Sequence, residues 1–506
     1  MKTLRKKMLR TFCVLTAALS IFALSACDLM AEFTVDETPA DSSSNVGNSS
    51  KPWEDWGQEE DSSARPNPEA PDENKTVTGE EIDGIGHRVV YYADGTWEDL
   101  GRAVRLNTAS PAPETQYGYQ SLKKEADGEG LCALYQDLYE VSTAFHTSTV
   151  DLNSQDGICE VAVLPYNQYG ITAEQAISVW KVFGAENPAY YWISPVVSYT
   201  SKHLYFLADE AYAKASTRSA IRKSIEEVAL DCDTYLSGKT SLEERALTIY
   251  DYLIYKLDYA YKADGITPET AAWAHNIVGL TMGKGVCETY AEAFDYFCGL
   301  FGLDCMTVTG MATQDGVKIG HAWNYLSFGK DWYAVDVTWG EQECLLRSWF
   351  GKEKNEFLSL HEATTPDVGW GIDYQCALPT LAEGNLCPVL FSDGESEGIF
   401  VSSVDKAFTL MTNEQGRYEI TLYPDTTVTA RNDIDIYPLE AVFCTALPKA
   451  QSITFIAERL YVEGNHYYQP EISTDNALTL QSSIFLKDVE LKAPSIKKNG
   501  HLLLPI

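Results

Sequence analysis

The sequence has few cations for its length. Its 506 residues include 38 lysines and arginines against 73 aspartates and glutamates, which gives a formal net charge of −35. Such a surface repels phosphate backbones and anionic lipid headgroups, so the composition argues against nucleic acid as a partner and against membrane binding through the folded body. The acidity instead favours solubility and basic partners.

The cysteines lack the spacing of a metal site. None of the 12 cysteines forms a Cys-x-x-Cys pair, and acidic runs such as residues 432–435 lack the spacing of a calcium loop. We therefore expect no metal and no other cofactor. Most of the cysteines are expected to be small, buried, apolar residues, because free cysteine is among the most buried residue types.

Long apolar runs are absent outside the N-terminus. Five cations between residues 2 and 10 precede an apolar stretch, residues 11–25, that is too short to span a bilayer comfortably. Leu24-Ser25-Ala26-Cys27 then resembles the bacterial lipobox, whose cysteine is acylated. The sequence predicts a lipoprotein signal peptide at 1–26 and a lipid anchor on Cys27, which places the protein at the cell membrane on its extracytoplasmic face. An ordinary signal peptide that happens to contain a cysteine is the alternative.

The chain after the signal peptide divides by composition. Residues 27–80 are rich in Ser, Pro, Asn and acids and predict a disordered tether, because they cannot bury enough apolar surface to offset the chain entropy. Residues 81–260 predict a mostly helical region from their apolar spacing. Residues 261–375 contain the candidate catalytic core. Residues 380–506 contain short strands at irregular intervals and predict an all-β module, either a sandwich or a short β-solenoid.

Local patterns predict individual elements before the core. Asp94-Gly95 between two apolar stretches predicts a hairpin turn. Apolar residues recur at helical spacing over 131–139, and a near capping box at Ser241 begins a helix that runs through Tyr255. Residues 190–199 and 203–207 have the composition of strands.

Cys287 is the candidate nucleophile. Two glycines break the chain before it, and apolar residues then recur at three- and four-residue steps as far as Phe301. Cys287 is therefore predicted in the first turn of a helix, where unpaired N–H groups and the helix dipole favour an anion, so a thiol there ionises readily. Cys298 and Cys305 lack this placement and are expected to be packing residues. Without further support, Cys287 would also be a buried structural thiol.

A predicted β-hairpin supplies that support. Residues 321–326 and 332–339 predict two strands joined by a turn at Phe328-Gly329-Lys330. If the turn has an even number of residues, Asp336 lies on the same face as His321, opposite or diagonal to it, with β-carbons about 4.5–8 Å apart. His321 can then act as the base, and Asp336 can orient its ring and stabilise its cation. An odd number of residues in the turn would break this arrangement.

These segments resemble the motifs of the transglutaminase-like superfamily. The resemblance rests on Gly285-Val286-Cys287, His321-Ala322-Trp323-Asn324 and Val335-Asp336-Val337-Thr338-Trp339, in this order, and it covers about residues 275–345. It implies an α+β fold with a papain-like core, in which the cysteine helix packs against an antiparallel sheet that carries the histidine and the aspartate. It also implies attack of the thiol on an amide carbonyl to form a thioester, which water or an amine then resolves.

The resemblance leaves the rest of the site open. The backbone N–H of Cys287 is one expected oxyanion donor, and Trp273, His275 and Asn324 are candidate oxyanion or pocket residues, although packing or strand-edge hydrogen bonding explains each equally well. Thr289 stands where many bacterial members have glycine and is expected to narrow the pocket.

The resemblance also leaves alternatives for the function. The expected substrate is a protein or a cell-wall peptide, with hydrolysis favoured over transamidation. The alternatives are a crosslinking transamidase, a surface binding module whose β-region docks on a glycan or a protein while the triad is idle, and a structural surface protein.

Overall fold

The computed structural model describes the greater part of the chain. The described residues are 32–34, 67–155, 157–239, 241–314, 316–341, 349–363, 378–386 and 389–503, the last range with gaps at 395–397, 402–403, 423–439, 443–444, 458–460, 463–465, 468–470, 488 and 499–500. The predicted signal peptide, Cys27 and most of the predicted tether lie outside these residues.

Helices and strands alternate irregularly along the described chain, which confirms the α+β class. The α-helices are α1 (Tyr117–Leu122), α2 (Gly128–His146), α3 (Ala173–Glu186), α4 (Ala215–Tyr235), α5 (Leu242–Lys256), α6 (Gly279–Met282), α7 (Cys287–Leu300), α8 (Val337–Gly340), α9 (Lys354–Leu358) and α10 (Val404–Leu410). The strands are β1 (Glu32–Thr34), β2 (Val77–Ile82), β3 (His87–Tyr92), β4 (Trp97–Arg102), β5 (Ser154–Gln155), β6 (Ile158–Leu164), β7 (Val197–Tyr199), β8 (Leu204–Asp209), β9 (Asp258–Tyr259), β10 (Lys284–Gly285), β11 (Asp304–Gln314), β12 (Val317–Phe328), β13 (Asp331–Val335), β14 (His361–Ala363), β15 (Val389–Ser392), β16 (Ile399–Val401), β17 (Arg417–Leu422), β18 (Glu440–Val442), β19 (Ser452–Ala457), β20 (Tyr461–Val462), β21 (His466–Tyr467), β22 (Glu471–Ser473), β23 (Leu478–Leu480), β24 (Ser483–Lys487), β25 (Glu490–Lys492), β26 (Ile496–Lys498) and β27 (His501–Leu503). Among the described helices, none combines the length and the hydropathy that a bilayer crossing needs.

The chain divides into two compact units. Unit 1 consists of residues 1–238, 256–326 and 358–380, and unit 2 consists of residues 239–255, 327–357 and 381–506. Unit 1 thus combines most of the predicted helical region with the part of the predicted core that contains Cys287 and His321.

The N-terminal part of unit 1 begins with an antiparallel sheet, β2-β3-β4. The predicted hairpin is confirmed, with Gly95 at a positive φ of 84° in the turn, a conformation that glycine adopts without strain. β2 begins at Val77, so the sheet includes the last residues of the predicted tether. Composition alone does not reveal this, because the pairing of β2 depends on β3.

Helices α2 and α3 pack on each other beside a second sheet, whose strand order is β1-β7-β8-β6-β5. The predicted strand over residues 190–199 is wrong except for its last three residues, and residues 188–190 form a 3-10 helix. Three successive aromatic residues, Tyr190, Tyr191 and Trp192, are all buried. A strand would direct successive side chains to opposite faces, so the chain turns instead.

The core of unit 1 places α7 against the long strand β11, which lies between β12 and β14 in its sheet. The predicted helix that begins at Cys287 is confirmed. The two residues of β10 lead into this helix and pair in parallel with β9. This pairing fixes the direction from which the chain enters the first turn of α7.

Unit 2 contains the strand that follows β12 in the chain, β13. The predicted return strand over 332–339 is wrong in its second half, because β13 ends at Val335 and α8 follows. The Asp336 side chain accepts a hydrogen bond of 2.9 Å from the Trp339 N–H and so caps α8. An aspartate N-cap favours a helical turn over a continued strand. The predicted helix after Ser241 is confirmed, and the Ser241 Oγ accepts from the Glu244 N–H.

The C-terminal part of unit 2 is built from parallel ladders. Arg417, Ser452 and Ser483 begin strands β17, β19 and β24, which pair in parallel and in sequence order. β18, β22 and β25 form a second parallel ladder, and β23 and β26 pair in the same way. Each successive pass of the chain thus adds a strand to the same ladders, which is the arrangement of a short β-solenoid and not of an antiparallel sandwich. The region is not purely β as predicted, because α10 packs Val404, Ala407 and Phe408 into its apolar core.

Candidate active site

The structure places Cys287 at the first residue of α7. The preceding residue, Val286, has extended backbone dihedrals and caps the helix without a side-chain hydrogen bond. Cys287 is 7% exposed and packs in a small apolar cluster with Ala291 and Ala322. Because Ala322 directly follows His321 in β12, the nucleophile helix and the histidine strand touch at the predicted site.

The Cys287 thiol has a hydrogen-bond partner that the sequence analysis missed. Its Sγ donates to Oε2 of Glu288 at 3.1 Å, and Oε1 of Glu288 lies 3.3 Å from Nδ1 of His275. Nε2 of His275 lies 3.0 Å from the carbonyl oxygen of Glu269. A carbonyl and a carboxylate only accept hydrogen bonds, so both ring nitrogens must donate and the geometry fits an imidazolium.

The electrostatics of this pair agree with its geometry. Burial opposes charge on both groups, but the hydrogen bond and the attraction between them raise the pKa of His275 and lower the pKa of Glu288 to about 2. The Cys287 thiol contributes to the lowered Glu288 pKa through its own hydrogen bond. The geometry and both pKa shifts therefore favour an ion pair of Glu288 and His275 beside the Cys287 thiol.

Thr289 holds this arrangement in place. It is fully buried, and its Oγ1 lies 2.7 Å and 2.9 Å from the carbonyl oxygens of Ala274 and Asn276, to which it donates. A Cβ on Gly279 or Gly285 would overlap the Thr289 side chain, so both glycines are needed for the close approach. These contacts give Thr289 a structural role, and the expectation that it narrows the pocket stays a prediction.

Two other candidates from the sequence lie in packing environments. Asn324 is fully buried, and its Nδ2 donates to the carbonyl oxygen of Ala291 at 2.9 Å, which ties the sheet to α7. Trp273 packs against the cluster of Ala260, Ala274 and Val286. Of the four candidate oxyanion or pocket residues, only His275 lines the cavity described below.

His321 is buried in β12 and lies next to a second histidine, His361, the first residue of β14. The centroids of the two rings are 5.8 Å apart, and Trp323 stands edge-on to His361 at 5.0 Å. His361 is not predictable from the sequence, because no local motif surrounds it and only the pairing of β14 with β11 brings it close.

Asp336 belongs to unit 2, where it is fully buried. Its backbone N–H donates to the carbonyl oxygen of Trp349, and its side chain caps α8. The connection between β12 and β13 consists of Gly329 and Lys330, an even number of residues. This is the turn length on which the predicted partnership of His321 and Asp336 depends, and the partnership itself stays a prediction.

A cavity of about 410 Å³ adjoins this site within unit 1. Glu288, Glu292 and Asp209 contribute carboxylates to its wall, and His275 and Lys181 contribute the basic groups. Aromatic side chains and residues of β11 form the rest of the wall, among them Trp180, Tyr190, Tyr191, Tyr212, Thr307 and Thr309. The volume lies in the range of natural small-molecule sites, about 300–1,000 Å³.

Comparison with known proteins points to one family. Residues 232–337 match the family model of the transglutaminase-like superfamily. Kyphoscoliosis peptidase of Homo sapiens is 31% identical over 105 residues, which are 19% of this chain and 16% of that protein. Kyphoscoliosis peptidase of Mus musculus is 24% identical over 140 residues, which are 26% of this chain and 20% of that protein. The chain therefore spans a fifth or less of the length of these relatives.

Two solved structures are also similar over part of the chain. A candidate cysteine protease from Cytophaga hutchinsonii is 20% identical, with a TM-score of 0.18, over 22% of this chain and 37% of that one. A structure described as a TGase is 15% identical, with a TM-score of 0.21, over 27% of this chain and 40% of that one. The matched range 232–337 includes Cys287, His321 and Asp336, and the chain thus contains a domain of the transglutaminase-like superfamily.

Proposed function

We propose that this protein is a transglutaminase-like thiol enzyme that hydrolyses amide bonds of a protein or a cell-wall peptide through Cys287. The observation that supports it most is the cysteine at the first residue of α7, packed through Ala322 against the strand of His321, in a domain that matches the superfamily. The names of the curated relatives, which are peptidases, favour hydrolysis over transamidation.

The reaction begins with transfer of the thiol proton to His321. The thiolate sulfur attacks the amide carbonyl carbon, a carbon–sulfur bond forms, and the oxyanion receives hydrogen bonds from the backbone N–H of Cys287 and a second donor. The carbon–nitrogen bond then breaks, and the leaving amine takes the proton from the His321 imidazolium. Asp336 orients the ring and stabilises its charge, as predicted from the hairpin.

The thioester is resolved by water. His321 takes a proton from the water as its oxygen attacks the carbonyl carbon, the carbon–sulfur bond breaks, and the proton returns to the sulfur. The products are a carboxylic acid and the free thiol. A primary amine in place of the water gives a new amide, which is the alternative transamidase reaction. The lipid on Cys27 would hold the enzyme at the extracytoplasmic face of the membrane.

Trapping of the thioester tests this proposal. The full chain is incubated with a peptide mixture, quenched in acid and digested, and mass spectrometry locates the acyl group. Acylation of Cys287, lost in Cys287→Ala and retained in the matched variant Cys298→Ala on the same helix, supports the thiol mechanism. Release of peptide products by Cys287→Ala at the unaltered rate would refute it.

A fluorescent primary amine offered together with the peptides separates the two reactions. Incorporation of the amine faster than release of free acid would replace hydrolysis by transamidation. Binding of a target that needs residues 381–506 but not Cys287, with no acyl group on any thiol, would favour the binding module.

A further inference from the structure

The cavity of unit 1 is lined by the residue that follows Cys287 in α7. Glu288, which lines it, is also the residue whose carboxylate accepts from the Cys287 thiol. The same carboxylate therefore contacts the Cys287 thiol and lines the cavity. The mechanism proposed above makes no use of the other wall residues.

Three carboxylates and two basic groups line the cavity wall. Glu288 and Glu292 are one turn apart on the same face of α7, and like charges at this spacing repel. Burial and the repulsion from Glu288 and Asp295 raise the pKa of Glu292 well above its ordinary value. Of the two basic groups in the wall, His275 is already paired with Glu288. A bound cation would favour the ionised form of Glu292, which burial and the neighbouring acids disfavour in the empty cavity.

The rest of the wall suits the stem and the flat face of a basic side chain. Trp180, Tyr190, Tyr191 and Tyr212 all line the cavity. Aromatic faces attract ammonium and guanidinium groups, and they also pack against the methylene stem of such a side chain. The hydroxyl of Tyr212 accepts a hydrogen bond of 3.1 Å from Asn276, so this ring is held in position.

We propose that this cavity binds the basic side chain of the peptide substrate, a guanidinium or an ammonium group, and so places a neighbouring amide at Cys287. The inference rests on the proposed function for the reaction at Cys287, and it adds the substrate class. The cation lies among the carboxylates of Glu288, Glu292 and Asp209, and its stem lies against the aromatic wall. A neutral side chain of the same shape gains only the apolar contacts.

Binding to an inactive full-length chain tests this without any turnover. The Cys287→Ala variant is titrated calorimetrically with acetyl-Ala-Arg-Ala-amide and with its citrulline counterpart, which has nearly the same shape and no charge. We expect the arginine peptide to bind at least about tenfold more tightly, as one desolvated charge-assisted contact provides. A guanidinium is also a poor acyl acceptor, so the preference reports on a side-chain site and not on an attacking amine.

A pair of charge-removing variants locates the effect. Glu292→Gln, added to Cys287→Ala, should remove most of the preference for arginine. It should leave the urea unfolding midpoint unchanged or higher, because an amide resembles the protonated carboxyl of the empty cavity. Asp304→Asn removes an exposed carboxylate at the start of β11 and should leave the preference intact.

The outcomes separate this inference from the proposed function. Equal affinities for the two peptides, or an equal loss of preference in Asp304→Asn and Glu292→Gln, would overturn the basic side-chain site, while turnover by the unaltered chain would still support the thiol mechanism. A clear preference for arginine with no turnover of either peptide by the unaltered chain would support the site and count against the hydrolase.

Discussion

Glu288 should oppose ionisation of the nucleophile, and its replacement by glutamine should make Cys287 more reactive. The Glu288 carboxylate, with a pKa of about 2, is anionic at neutral pH, and its Oε2 lies 3.1 Å from the Cys287 Sγ. A thiolate at that distance would be repelled by the carboxylate. The N-terminus of α7 acts in the opposite direction, because the positive end of the helix dipole favours an anion.

The distance sets the size of the effect. Two unit charges 3.1 Å apart repel by about 1.3 kcal/mol in the dielectric of water and by about 5 kcal/mol at an effective dielectric of 20. The imidazolium of His275, on the other side of the carboxylate, cancels part of this repulsion, so the smaller figure is the better guide. Glu288→Gln should therefore increase the thiolate population of Cys287 by about tenfold. At a pH below the pKa of the thiol, the alkylation rate should rise by the same factor.

Alkylation with limiting iodoacetamide near pH 6 measures this directly, with mass spectrometry to locate the label. The unaltered protein should label Cys287 before Cys298 and Cys305, because burial raises the pKa of both of those thiols. Glu288→Gln should accelerate labelling of Cys287, and His275→Gln, which leaves the carboxylate uncompensated, should slow it.

The two variants are expected to change the labelling rate of Cys287 in opposite directions, so each can contradict the prediction. Slower labelling in Glu288→Gln would mean that the carboxylate acts as a base for the thiol and does not oppose its ionisation. Preferential labelling of Cys298 or Cys305 would remove Cys287 from the role of nucleophile. His321→Ala should slow the labelling, because the thiolate loses its expected counter-ion, and Asp304→Asn should leave the rate unchanged.

Three further predictions concern Asp336 of the proposed triad, the buried Glu186 and the proposed lipid anchor on Cys27. Asp336→Asn should keep the thermal unfolding midpoint within a few degrees but lower kcat/KM by about 10²–10⁴-fold; an unaffected rate would mean that Asp336 only caps α8. Burial raises the pKa of Glu186 to about 7, although hydrogen bonds from the Gly118 N–H and the Tyr135 hydroxyl act to lower this pKa. The folded state then holds this proton more tightly than the unfolded state, so stability should fall by about 3 kcal/mol as pH rises from about 4.5 to 8, and urea unfolding of Glu186→Gln should lack that fall. Cys27→Ala should release the protein from the membrane fraction or block its maturation, and unchanged fractionation would exclude the anchor.

The sequence predicted those parts of the site that depend on local chemistry. The helix at Cys287 follows from two glycines and an apolar period, both of which lie within one short segment. The end of the strand before Asp336 was misplaced, because the N-cap bond to Trp339 competes with strand geometry and wins. The start of the helix and the end of the strand are both decided by residues close in sequence. Only the end of the strand depends on a competition between two local preferences, strand geometry and the N-cap.

The parts that were not predicted depend on residues distant in sequence. His361 enters the site through the pairing of β14 with β11, and the Glu288–His275 ion pair needs the loop of His275 to return to α7. The choice between a sandwich and a solenoid depends on whether β17 and β19 run in the same direction, and no periodicity within a strand carries that information. Strand type can be derived from alternation, but the partner and the direction of a strand cannot.

Thr289, where the sequence departs from the family pattern, shows how a single residue connects local chemistry with contacts between residues distant in sequence. In the resembled family a glycine often stands there, and the expectation from sequence was a narrower pocket. In the structure the threonine side chain fills the space that Gly279 and Gly285 leave, and its hydroxyl binds the backbone on both sides of His275. The same contact therefore fixes the loop that carries His275 and, through it, the orientation of Glu288 beside the thiol. The residue that departs from the family pattern is thus part of the scaffold that sets the charge next to the nucleophile.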